Sequence, residues 1–294
     1  MKFLCTVSSI EEFLKVKNLC DGIVITNHLV SSRFEHSLSL EEILALVKKC
    51  NTARMECYLM CNALFTDDTL PNLYDIINHF KDTNLLYIFG DLAVYELLKE
   101  FGITKKGVYF PDTLVSNYLD FTFFEPYKLK GMFPTLEIPL DDVKVIGKNK
   151  KLKLYYKGFG KAVMFHSKRK LLTSYALHKK LDSSFIKSDD LYLIEETRSD
   201  QYKILENEHG THIFQKGIHN ILPALDIIYE ELDYLFLDGT YLPFDAYLKA
   251  VEIYRDATCD LDYLNLYNDR LEKIFSDLSY DFLFEDSVFR KGDF

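Results

Sequence analysis

Five short apolar runs, each followed by an amphipathic stretch, fill the first 120 residues, and this alternation limits the possible folds more than any other feature. The strand-like runs are residues 3–7, 22–26, 56–60, 85–89 and 107–110. Between them, apolar positions at helical spacing predict helices over 8–17, 39–50, 70–81, 91–101 and 112–119. Ser8 or Ser9 precedes Glu11-Glu12, and Ser39 precedes Glu41-Glu42. Such hydroxyls satisfy free amide N–H groups at a helix start, and acids there complement the dipole. Regular βα alternation predicts a parallel sheet with right-handed crossovers. Five units before residue 120, with more to follow, favour a TIM-like (β/α) barrel, regular or distorted, over an open doubly wound sheet. No G-x-G-x-x-G or Walker-type loop is present, which weakens the nucleotide-binding α/β classes.

The second half keeps the pattern less strictly. Strands are expected at 135–138, 151–156, 162–166 and 191–198, with a helix at 140–146 and a loop with a short helix over 168–190. Residues 202–206 turn through Asn207-Glu-His-Gly210 into 211–214, which reads as an inserted β-hairpin. A helix at 220–230, a buried strand at 234–237 and a helix at 243–257 follow. A helix at 261–278 and an edge strand in the tail 282–290 complete the expectation. With no linker, repeat or low-complexity tract, residues 1–294 are expected to form one elaborated domain.

The net charge of −10 argues against a protein that coats nucleic acid by bulk charge. Its distribution is uneven, however. Residues 144–187 carry thirteen Lys/Arg against one acid, Asp182, whereas residues 225–286 carry sixteen acids against four bases. The first segment is therefore a candidate face for an anionic partner, or a solvated face balanced by an acidic one. No span approaches the roughly 20 apolar residues of a membrane helix. The six cysteines (5, 20, 50, 57, 61 and 259) form no Cys-x-x-Cys pair or disulfide framework, as expected for reduced thiols in a cytoplasmic protein. Cys57 and Cys61 on a strand would point to one face about 13 Å apart, too far to share a metal.

Certain residues recur in a recognisable order. They are Glu137, Met164-Phe-His166, Leu193-Ile-Glu-Glu-Thr-Arg198, Gly210-Thr-His-Ile-Phe214 and Leu237-Asp-Gly239. Asn62, Asp91, Pro111-Asp-Thr-Leu-Val-Ser-Asn117 and the tail from Phe282 to Arg290 fit the same order. Each is weak alone. Together they make the chain resemble the collagenase-like peptidase family U32, in its short form, over nearly its whole length. The resemblance implies a barrel and a protease name. It also implies kinship with oxygen-independent hydroxylases of tRNA, ribosomal RNA or ubiquinone precursors. The resemblance implies that those carry an iron–sulfur cluster on cysteines, with prephenate as a candidate oxygen donor, and that some work as paired homologous subunits.

The chain departs from that pattern in three places. The family's cluster cysteines fall in the segment that here runs from Arg169 to Tyr192, yet no cysteine lies between Cys61 and Cys259. Thiolates hold such clusters, so none is expected. The family's Glu-Gly-Arg is Asp238-Gly239-Thr240, and its His-Gly is His166-Ser167.

The candidate catalytic residues are Glu137, Asp238 and His166. The two carboxylates, at expected strand ends, suit acid–base work, or cap helices starting at Pro139 and Pro243. His166 is a base, a ligand contact or a structural residue. Lys161, Lys168, Arg169 and Lys170 are the candidate nucleic-acid contacts, since adjacent cations can follow a phosphate backbone. Glu195, Glu196 and Arg198 read as cross-strand partners of Lys203. No Ser/His/Asp, Cys/His or His-Glu-x-x-His arrangement is present, and no metal site is expected. The leading expectation is a cluster-less RNA-binding or scaffold subunit that partners a cysteine-bearing homologue in tRNA hydroxylation. A collagenase-like peptidase and a barrel binding a small anion such as prephenate are the alternatives.

Overall fold

The computed structural model describes residues 1–187, 191–194, 196, 200–280 and 282–284. Seven parallel strands follow one another around a barrel: β1 (Lys2–Thr6), β2 (Gly22–Ile25), β3 (Glu56–Cys61), β4 (Leu85–Phe89), β5 (Gly107–Tyr109), β6 (Gly131–Met132) and β7 (Lys153–Gly160). The chain then leaves the barrel and builds β8 (Val163–Ser167), β9 (Tyr192–Ile194), β10 (Gln201–Asn207) and β11 (Gly210–Phe214), an antiparallel sheet in the order β8-β11-β10-β9. β12 (Ile218–Asn220) returns antiparallel to β7, and β13 (Tyr234–Leu237) then slots between β7 and β1, parallel to both. An eight-stranded parallel barrel is thereby closed. The short strand β14 (Leu278–Ser279) pairs with β12.

Among the described residues ten α-helices accompany these strands: α1 (Ile10–Val16), α2 (Leu40–Ala53), α3 (Leu70–Phe80), α4 (Leu92–Glu100), α5 (Tyr118–Phe124), α6 (Leu140–Asn149), α7 (Leu171–Lys179), α8 (Leu225–Ile228), α9 (Phe244–Ala257) and α10 (Leu264–Glu272). The expected caps are present. Ser9 Oγ accepts from the Glu12 amide, and Ser39 and Glu42 form a reciprocal capping box.

Strand parity divides the core in two. Alternate residues face inward, so Leu4, Val24, Tyr58, Met60, Ile88, Val108, Phe110, Phe133, Tyr155, Tyr234 and Phe236 fill the barrel as a solid plug. The intervening positions, Cys57, Leu59 and Cys61 among them, pack outward against the helices. Aromatic rings stack through the plug: Tyr155 on Tyr234 at 4.1 Å, and Phe110 on Phe133 at 4.2 Å. At the N-terminal end of the barrel the Glu56 carboxylate accepts from Tyr58 Oη (2.7 Å), Lys130 Nζ (2.9 Å) and Tyr234 Oη (3.2 Å). This carboxylate satisfies the hydroxyls that a tyrosine-rich plug brings inside.

Several expected elements differ. Residues 135–138 are a bend after the two-residue β6, not a strand. The helix expected at 112–119 starts only at Tyr118, where Asn117 and Asp120 make a capping box, because Asp112 takes a left-handed φ of 65°. The stretch 220–230 opens with the end of β12, and helix α8 is a single turn. Pro223 and Asn220, whose side chain accepts from the Leu222 amide, favour a 3-10 turn there. The C-terminal helix ends at Glu272. The expected hairpin is present as β10 and β11, and β8 and β9 extend it to four strands. The strand expected over 191–198 is described only as Tyr192–Ile194. Glu195, Arg198 and residues 285–290 of the expected edge strand lie outside the described residues, while 282–284 form a turn. Among the described residues no helix is long and apolar enough to cross a membrane.

Candidate functional site

The loops at the C-terminal ends of the strands surround a cleft open to solvent. Its floor is the top of the plug: Val24, Met60, Phe110 and Phe236. Its walls are polar, and ion pairs dominate them. Lys157 shares the inward parity of Tyr155 on β7, so its side chain rises through the plug to the mouth. There Nζ donates to Asp238 Oδ2 (2.7 Å) and to the Lys161 carbonyl (2.7 Å). The pair is buried, with side-chain exposures of 8% and 16%. Burial alone would raise the Asp238 carboxyl. The Lys157 charge and hydrogen bond, with the Thr240 amide on Oδ1 (3.1 Å), outweigh it and hold that carboxyl below its ordinary value.

Across the cleft Arg33, in the loop after β2, grips Asp112 with two hydrogen bonds of 3.0 and 3.2 Å. Such fork-to-carboxylate pairs fix orientation as well as charge. Asp112 and Tyr241 both adopt φ near 65°, a conformation that side chains rarely take and that concentrates at working sites. The Tyr241 amide donates to Glu35 Oε2 (2.8 Å), and burial raises the Glu35 carboxyl despite this bond. Lys161 donates to Asp277 Oδ2 (3.0 Å). Gln215 also faces the cleft, with a buried side-chain oxygen that has no hydrogen-bond partner among the described residues.

Of the expected catalytic set, the structure brings Glu137 and Asp238 to the cleft and leaves His166 out. Glu137 sits exposed on the bend after β6. Neither carboxylate caps a helix, since Pro139 and Pro243 occupy the N-cap positions of α6 and α9 without side-chain cap bonds. His166 instead stacks on His212 at 4.4 Å in the inserted sheet. Lys161 lines the cleft but is spoken for by Asp277. Lys168 reaches the Leu64 carbonyl (2.9 Å) on the loop after β3, and Arg169 and Lys170 are exposed in the turn before α7. That turn is held because Glu206 accepts from the Leu172 (2.7 Å) and Thr173 (3.2 Å) amides.

The basic segment is not one patch. β7 runs about 23 Å, by its rise per residue, and places Lys150 and Lys153 at one end and Lys161 at the other. Lys150 is bound to Asp233 at the far end. Sequence reasoning passed over Lys157, Arg33, Asp112 and Tyr241. Lys157 carried a signal, being a lysine in step with Tyr155 in the middle of a strand; Asp112 stood within the Pro111–Asn117 segment without a role assigned to it, and Arg33 and Tyr241 carried no signal.

Five cysteines are buried, Cys259 is exposed, and none lines the cleft. Among the described residues no three His, Cys, Asp or Glu converge as metal ligands. The residues present do not make the thiolate set that an iron–sulfur cluster needs.

Comparison with known proteins agrees with the barrel and its family. The chain is 24% identical over 230 residues to the tRNA hydroxylation protein P2 of Bacillus subtilis (strain 168), covering 76% of this chain and 74% of that protein. The solved U32 peptidase Mk0906 superposes with a TM-score of 0.52 at 15% identity, covering 83% of this chain and 94% of that one, a likeness of fold. The model of peptidase family U32 matches residues 9–287, so this chain belongs to that family.

Proposed function

We propose that this chain is an RNA-binding or scaffold subunit without a cluster of its own, acting beside a cysteine-bearing homologue in tRNA hydroxylation in the cytoplasm. The observation that carries the reading is the match to a tRNA hydroxylation protein in a chain whose cleft offers no thiolate. In this reading the redox chemistry resides in the partner. The present chain supplies the barrel mouth and a cationic turn, Lys168-Arg169-Lys170, beside it. Arg169 and Lys170 have no carboxylate partner among the described residues, so both are available to phosphate oxygens. An anionic metabolite in the cleft takes second place, because it would compete with Asp112, Asp238 and Asp277 for the cations there. A peptidase would need a nucleophile or an activated water, and neither a serine–histidine pair nor a metal set faces the cleft among the described residues.

The test is tRNA binding by the purified chain, alone and with its homologue. Replacing Lys168, Arg169 and Lys170 by alanine should weaken binding and lower the salt slope, log K against log salt, by about 2 to 3. Deletion of the gene should abolish a tRNA hydroxylation. An unchanged slope together with an unchanged tRNA would overturn the proposal.

A further inference from the structure

The inserted sheet leaves and rejoins the barrel at one place. Gly160 pairs with His219 across β7 and β12, and glycines with positive φ stand at both joints, Gly160 at 123° and Gly217 at 83°. Between these joints Val163 and Phe214, with Gln215 just beyond, reach over the cleft. The seam to the barrel loops is largely polar. Asn207 Nδ2 donates to the Ser32 carbonyl (2.9 Å), His209 Nε2 to the His28 carbonyl (2.6 Å) and Lys168 Nζ to the Leu64 carbonyl. Phe214 adds an edge contact to Tyr241 at 5.3 Å.

Two histidines sit within this seam. His166 and His212 are cross-strand neighbours whose rings stack, with centroids 4.4 Å apart and their planes within 2° of parallel. His166 Nε2 donates to the His209 carbonyl (3.3 Å). His212 is 1% exposed, and among the described residues neither of its ring nitrogens has a hydrogen-bond partner. A buried polar group left unpaired is costly and uncommon in a settled core. The groups around the pair are Arg33 from the loop after β2, Asp112 bound to it, His209 on the hairpin turn, and Leu205 opposite His212 on β10, with Lys203 and Asn207 sharing its face. A proton on either ring would meet a second ring at stacking distance and a guanidinium, with Asp112 as the opposing charge.

We propose that the inserted sheet is a lid on the barrel mouth, latched by the uncharged His166–His212 stack and released when that stack takes up protons. The latch does not depend on what the cleft binds. Burial, then Arg33 and His166, pushes the His212 imidazole down to about 3, and burial also lowers His166. In an open lid both rings meet water and return toward about 6.5. The closed form therefore holds fewer protons. Its stability is complete above about pH 6.5 and falls as pH drops below it. From His212 alone, the open-to-closed ratio rises roughly 30-fold between pH 7.5 and pH 5.0, by this linkage.

The chain has no tryptophan, so Phe214→Trp places a single reporter in the seam. Its emission should shift to longer wavelength between pH 7.5 and 5.0 while far-UV circular dichroism stays constant. Adding His166→Phe together with His212→Phe, which keeps both rings in the stack but lets neither take a proton, should erase the shift. Hydrogen exchange of residues 28–33 and 210–214 in the unmodified chain, corrected for intrinsic rates, should show the same opening, and decides the matter if the reporter itself disturbs the seam. A response that persists when both histidines are phenylalanine, no response down to pH 5.0, or a parallel loss of secondary structure would each overturn the latch.

Discussion

Replacing Lys157 by methionine tests the electrostatics of the barrel mouth directly. The substitution keeps most of the side chain's volume and removes the charge that faces Asp238 at 2.7 Å. Asp238 then keeps the Thr240 amide as a hydrogen-bond donor in a buried position. Removing one partner of a buried pair costs about 3–5 kcal/mol, because the remaining charge is left uncompensated. In a chain of this length that corresponds to a melting point lower by roughly 6–10 °C. The pH dependence carries a sign. In the wild type the Asp238 carboxyl is held low, so its contribution is present above its unfolded value near 3.9 and lost only as pH falls below it. In the variant, burial dominates and raises the carboxyl, so the folded form takes up a proton more readily than the unfolded one. The deficit should therefore be smaller at pH 5 than at pH 7.5. Adding Asp238→Leu should recover much of the loss. The assay is urea unfolding by far-UV circular dichroism at both pH values. A single variant within 1 kcal/mol of wild type, or a double variant no better than the single, refutes the argument.

Two further perturbations follow from the same geometry. Glu56→Gln removes the charge that holds Lys130 and rearranges the acceptors for Tyr58 and Tyr234, which should cost about 2–3 kcal/mol. Burial would raise the Glu56 carboxyl, but Lys130 and Tyr58 lower it on balance, so the wild-type advantage should be present above about pH 4.3 and vanish in titrations toward pH 3. Gly160→Ala forces a β-carbon against the Asp238 carbonyl at a φ of 123°, and should lower stability by more than about 2 kcal/mol in thermal melts. Alanine at Gly102, which has a positive φ but open space around it, should cost less.

Much of the barrel was legible because its signals are local. The alternation of apolar runs with capped amphipathic stretches needs only neighbouring residues to be read. The runs at 22–26, 56–60 and 85–89 became β2, β3 and β4 within a residue or so of either end. Where expectation failed, a local competitor decided. Asn117 started α5 late, and Pro223 with Asn220 reduced α8 to one turn. The site was only partly legible. Asp238 could be placed at a strand end from sequence, and Glu137 near the mouth, but His166 was assigned to their company and belongs to the lid.

The sequence alone determined the parity of each strand, and with it which side chains fill the barrel and which meet the helices. It also pointed to the family, which the match over residues 9–287 bears out. Only the tertiary structure decided the pairings that give the mouth its character. Arg33 meets Asp112 across 79 positions, Lys157 meets Asp238 across 81, and His209 meets His28 across 181. Closing a barrel brings strand ends together regardless of their separation along the chain, and no periodicity within a short window records which distant charge will stand opposite.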